Sequence, residues 1–173
     1  MKRKIRFSEK LLLAGLSFIL LFMIVQDWVP LGSLNDVQAI REEHTFNGLV
    51  TVTLINVTQI LLLIGLVVIF MGRRYPTWIK LWLIIHQVSI FVGALISWWI
   101  PYFFGYGAEQ KVQIYNQMFG NTHSFLPLMN GIVPNTLHIL FHITLLFCII
   151  VMIYISFTSS KGNFNNSIPE NIS

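Results

Sequence analysis

Four uninterrupted apolar runs, residues 11–29, 49–71, 81–100 and 136–157, restrict what this chain can become. At a rise of about 1.5 Å per residue, each is long enough as a helix to cross a hydrocarbon core about 30 Å thick. Lipid offers backbone amides no hydrogen-bond partner, so a lone spanning segment must satisfy them internally, as a helix does. Only 10% of the 173 residues are charged and 55% are hydrophobic, whereas an average soluble domain is about 25% charged. The pattern predicts an all-α integral membrane protein, a four-transmembrane-helix bundle forming one domain over residues 1–158. Residues 159–173, rich in Asn, Ser and Gly, read as a disordered tail.

Basic residues favour the cytoplasmic side of a membrane. Lys2, Arg3, Lys4, Arg6 and Lys10 precede the first run, Arg73, Arg74 and Lys80 lie in the short turn between the second and third runs, and Lys161 follows the last run. The opposite side holds Arg41 and Lys111. This asymmetry predicts a multi-pass protein of the cell membrane with N- and C-termini cytoplasmic. A basic start before an apolar run also resembles a secretory signal, but no Ala-x-Ala-like site follows it, so a retained anchor is expected. The net charge of +4 is then a topology signal. The expected partners are the lipid bilayer and another membrane protein or a second copy of the chain; no basic domain offers a surface to nucleic acid. The wealth of Ile, Asn, Lys and Phe fits an AT-rich bacterial genome.

The two extracytoplasmic loops have patterns of their own. Ser33 followed by Asp36 predicts a short helix start in the first. The second, residues 101–135, exceeds an ordinary connection. Within it Ala108, Val112, Tyr115 and Met118 or Phe119 recur at helical spacing, predicting an amphipathic helix and a structured loop. In the third run, Ser89, Gly93 and Ser97 form a ladder of small residues that, with His86 beside it, is expected to face the bundle interior.

Polar groups gather toward one side. The stretch "NGIVPNTLHILFH" starts the fourth helix, with Asn135 or Thr136 as its cap after Pro134, and sets His138 and His142 on one face. Polar groups at membrane depth are costly unless paired or facing a wet cavity. The expected result is an outward-facing pocket with Asn56, Gln59 and His142 as floor, His138 and Asp27 as wall, and the second loop as lid. His44 and His123 reach it from the loops. Two histidines at i and i+4 suit zinc, and His138, His142, His123 and His44 are the candidate ligands of such a divalent metal. The spacing is that of a zincin helix, but Ile139 stands where the glutamate would be. Any acid–base chemistry would draw on His138, His142, Asp27 and Glu43. The single cysteine, Cys148, allows no intrachain disulfide.

With no Gly-rich phosphate loop, nucleophile elbow or cysteine pair, the first expectation is a non-catalytic protein of accessory, envelope-stress or partner-binding type. The alternative is a membrane-embedded, histidine-dependent enzyme, metal-dependent or not, acting on a lipid-like substrate at the outer leaflet.

Overall fold

The computed structural model describes residues 3–161; of the tail expected over residues 159–173, residues 159–161 continue the last helix and the rest lies outside the described residues. Among these residues the chain is all-helical: α1 (Phe7–Val25), α2 (Val37–Glu43), α3 (Phe46–Phe70), α4 (Thr77–Ala94), α5 (Ile100–Phe104), α6 (Val112–Phe119) and α7 (Thr136–Lys161). A π-helical stretch, Leu95–Trp99, joins α4 to α5, so that Thr77–Phe104 is one continuous helix. Four helices are long and apolar enough to cross a membrane: Phe7–Val25, Phe46–Phe70, Thr77–Phe104 and Thr136–Thr158.

Capping explains where these helices begin. The first starts earlier than its apolar run because the Arg6 backbone N–H donates to Glu9 Oε2 at 2.9 Å, closing a polar first turn. Asp36, rather than Ser33, caps α2 by accepting from the Ala39 N–H at 3.0 Å. Asn135 caps α7: its Oδ1 accepts from the His138 N–H at 3.0 Å.

In the bundle, α1 packs between α3 and α7, and α7 packs between α1 and α4, leaving α3 and α4 as the flanks. The core they share includes Leu12, Leu16, Ile19, Leu63, Leu83, Leu145 and Met152. Close approach of α1 and α7 depends on Gly15, where an added Cβ would lie 2.5 Å from Cys148 Sγ.

The small-residue ladder points the other way from expectation. Ser89 is exposed and returns its hydroxyl to the Ile85 carbonyl at 2.9 Å, and Gly93 has open space where a Cβ would be. The buried stripe of α4 is instead Ile79, Leu83, Gln87 and Ala94. Two stripes of similar spacing competed for the interior, and in lipid the choice rests on van der Waals packing against the neighbours, which small residues permit but do not require. His86, half-buried, stacks on Trp82 with ring centroids 5.6 Å apart rather than bonding across the bundle.

One end of the bundle is basic. Glu9 is fully buried there and forms a two-pronged ion pair with Arg3, whose Nη1 donates to Oε2 at 3.0 Å and whose Nη2 donates to Oε1. Arg3 also donates its backbone N–H to the Gly72 carbonyl at 2.8 Å, tying the chain start to the α3–α4 turn. Arg6 Nη1 reaches Thr158 Oγ1 on α7 at 2.8 Å. Burial first and Glu9 second push the Tyr75 phenol up to about 12, which keeps it a neutral donor to the Val67 carbonyl.

Candidate functional site

The opposite end carries the long loop, and its attachment begins with Pro101. A proline has no N–H, so the carbonyl four residues back, that of Ser97, loses its helical partner. The π-helical register also sends the Ile100 N–H to Leu95, which frees the Ile96 carbonyl. The loop satisfies both. Tyr115 OH donates to the Ser97 carbonyl at 2.9 Å, and Lys111 Nζ donates to the Ile96 and Ser97 carbonyls at 3.0 and 3.3 Å. Tyr102 OH donates to the Pro127 carbonyl at 3.0 Å, and Asn130 Nδ2 to the Tyr102 carbonyl at 2.8 Å. Burial holds the Tyr115 phenol above its ordinary pKa, so it remains a donor.

This attachment places Trp98 in the interior, with the rings of Tyr115 and His138 each 4.5 Å away and that of Phe119 5.1 Å away. His138 is thus held among aromatics. Its Nδ1 lies 2.7 Å from Asn135 Oδ1. That oxygen already accepts a backbone N–H, so it is the amide's acceptor, and His138 Nδ1 must carry the ring proton. The lone pair of this imidazole is on Nε2.

His142 has the other tautomer. Its Nδ1 accepts from Trp99 Nε1–H at 3.1 Å, and because an indole only donates, the neutral ring's proton is on Nε2. Although the rings are 6.1 Å apart, they line different cavities. His138 lines one of about 190 Å³ that also holds Gln26, Asp27, His44, Gly48 and Phe119. His142 lines an apolar groove of about 440 Å³ between the α4–α5 helix and α7.

The structure therefore brings Asp27, His44 and His138 around one cavity and separates the other residues expected there. Asn56 and Gln59 are not its floor: half-buried on α3, they bond to each other at 3.1 Å. His142 leaves the set because, one turn deeper, it turns to Trp99, whereas His138 packs among Phe22, Trp98 and Phe119. His123 is exposed and acts as a stitch. Its backbone N–H donates to Ser33 at 2.6 Å, its carbonyl accepts from the Thr136 N–H at 2.9 Å, and its Nδ1 lies 2.8 Å from Thr136 Oγ1. Glu43 is exposed in the last turn of α2. Among the described residues, no three His, Cys, Asp or Glu side chains gather as a metal site would require. His138, His142, His123 and His44 accordingly form no common coordination sphere.

Burial raises the Asp27 carboxyl above its ordinary pKa, while His44 and a hydrogen bond from Gln26 pull it back down. The cavity presents this carboxyl and the His138 imidazole whose proton is already engaged. It is a site rich in acceptors. Two polar groups elsewhere escaped sequence reasoning: Glu9, which reads as one more terminal charge, and fully buried Gln87, whose Nε2 donates to the Leu83 carbonyl of its own helix at 2.8 Å. An acid three residues after Arg6, at the mouth of an apolar run, was the available signal for the first.

No protein-family model, curated protein or solved structure matches the chain. Its class rests on its own architecture: a helical bundle with four helices fit to span a membrane, closed at one end by a hydrogen-bonded loop.

Proposed function

We propose that the protein is a non-catalytic, partner-binding protein of the cell membrane, with both termini cytoplasmic and the loop-capped end outside. Its cavity of Asp27, His44 and His138 receives a donor-bearing side chain, lysine or arginine, from another membrane protein. The carrying observation is the bond between His138 Nδ1 and Asn135, which commits the ring proton and leaves an acceptor on a residue lining a cavity that also contains Asp27. A half-buried carboxyl such as that of Asp27 is best satisfied by a charge-assisted donor. Phe46, exposed and edge-on to Trp28 at 5.9 Å, stands beside the α3 start that forms the cavity rim.

The orientation follows from the basic residues at the Glu9 end. In a Cys148→Ala background, a membrane-impermeant maleimide should label Tyr106→Cys in intact cells and Arg74→Cys only after permeabilisation; the reverse pattern overturns the topology. For the binding role, a photocrosslinking amino acid at Phe46 should yield one adduct of defined size whose crosslinked peptide contains Lys or Arg. The adduct should be lost in Asp27→Leu and absent when the probe is at Trp78. Failure to form it in a properly inserted protein sinks the reading.

A further inference from the structure

A polar pair sits on the least enclosed helix of the bundle. Of the four membrane-length helices α3 is the least buried, and it packs chiefly against α1 as one flank. Asn56 and Gln59 lie on either side of the middle of Phe46–Phe70, where the hydrocarbon is deepest. Gln59 Nε2 donates one hydrogen to Asn56 Oδ1 at 3.1 Å. Among the described residues its second hydrogen and its Oε1 meet no partner, and the side chain is only half-buried, so it opens to the surroundings. Hydrocarbon offers such an amide nothing, and lipid carbonyls and headgroups lie about 15 Å away at the surfaces. What covers this flank must bring both a donor and an acceptor at the depth of Gln59.

A second copy of the chain brings both. Copies oriented by the same basic residues face the same way in the membrane, so a two-fold axis along the membrane normal sets equal depths face to face. A carboxamide is donor and acceptor at once, which makes it its own complement across such an axis. The surface around it permits the approach. Ile55, Gln59, Leu62 and Leu66 follow one another at spacings of four, three and four, one face of a helix at coiled-coil periodicity, and Ile55 and Leu62 are exposed. We propose that the protein forms a parallel homodimer through this face of α3, Gln59 Nε2–H of each copy donating to Gln59 Oε1 of the other, while Asn56 orients each amide through the bond within its own chain. The face lies deeper than the cavity of Asp27 and His138, which α3 meets at Gly48, Leu49 and Val52, and does not depend on the role given to that cavity.

The test uses the full chain with Cys148→Ala and Arg74→Cys, labelled in separate batches with donor and acceptor dyes and mixed in phosphatidylcholine vesicles. Energy transfer should exceed the level that random mixing in the bilayer gives, and should fall as lipid is added. Gln59→Leu, of similar size on a lipid-facing flank, should raise the protein-to-lipid ratio needed for half-maximal transfer by about tenfold or more, the loss of two reciprocal hydrogen bonds. With Gln59 intact and Cys148→Ala, oxidation should join two copies through Ile55→Cys and not through Leu61→Cys, which is exposed on the opposite side of α3. Transfer at the random level, a ratio unchanged in Gln59→Leu, or joining through Leu61→Cys as fast as through Ile55→Cys overturns the proposal. A flank reserved for a different membrane protein gives the first of these results.

Discussion

The two ends of the bundle solve the same problem, a polar group beside hydrocarbon, in opposite ways. At the basic end the Glu9 carboxylate is buried against Arg3 and Arg6, ion to ion, with partners within six residues in sequence. At the loop end the buried groups are neutral, His138 and His142, and their companions Trp98 and Trp99 come from a different helix. The first solution is strong but unforgiving, because removing one ion strands the others. The second spreads small contributions over aromatic contacts and single hydrogen bonds, so each is replaceable at modest cost.

The contrast can be broken most directly at Glu9. Glu9→Leu leaves two arginines without their carboxylate and should cost about 3 kcal/mol, the penalty typical of a half-removed buried ion pair. Thermal unfolding in mild detergent followed by circular dichroism measures it, and Arg3→Leu added to Glu9→Leu should recover part of the loss. An unchanged midpoint in Glu9→Leu would erase the distinction between the ends.

At the loop end the largest effect belongs to Asn135→Ala, which removes both the α7 cap and the partner of His138 Nδ1. A loss of about 2 kcal/mol is expected by the same measurement. Tyr115→Phe deletes one donor to the Ser97 carbonyl and should cost about 1 kcal/mol, with faster amide exchange in residues 112–119 as its local signature.

The smallest effect concerns pH. Burial raises the Asp27 carboxyl, so the folded state holds this proton more tightly than the unfolded chain does. Its stabilising contribution is complete below the ordinary aspartate value of about 4 and fades as pH rises through the higher folded value. Asp27→Asn should flatten the decline of the unfolding midpoint over that interval. If wild type and variant decline in parallel, Asp27 is not the group responsible.

How much of this was legible depends on the range of the interactions. The four spans, the Asn135 cap and the amphipathic α6 follow from periodicity and capping chemistry, which operate within one or two turns. The polar cluster was half legible. Asp27, His44 and His138 do meet around one cavity, yet Asn56 and Gln59 pair with each other, and His142 lines a different groove beside Trp99. Depth along a helix can be counted from residue numbers, but azimuth depends on which neighbour the helix packs against. The inward stripe of α4 was misassigned for that reason: Ser89 and Gly93 allow close packing without requiring it.

By itself, then, the sequence determined that the chain builds four membrane-length helices and that the last begins at Asn135 or Thr136, whereas the continuation of the third through Pro101, which leaves the Ser97 carbonyl without its helical donor, came from the structure. The first two are matters of local backbone hydrogen bonding. Only the tertiary structure decided that Tyr115 and Lys111 supply the missing donors, and that Asn135 and Trp99 impose opposite tautomers on two histidines one turn apart. A ring nitrogen carries the proton where it meets an acceptor and is bare where it meets a donor; Asn135 is local to α7, but Trp99 reaches His142 only through the packing of two helices.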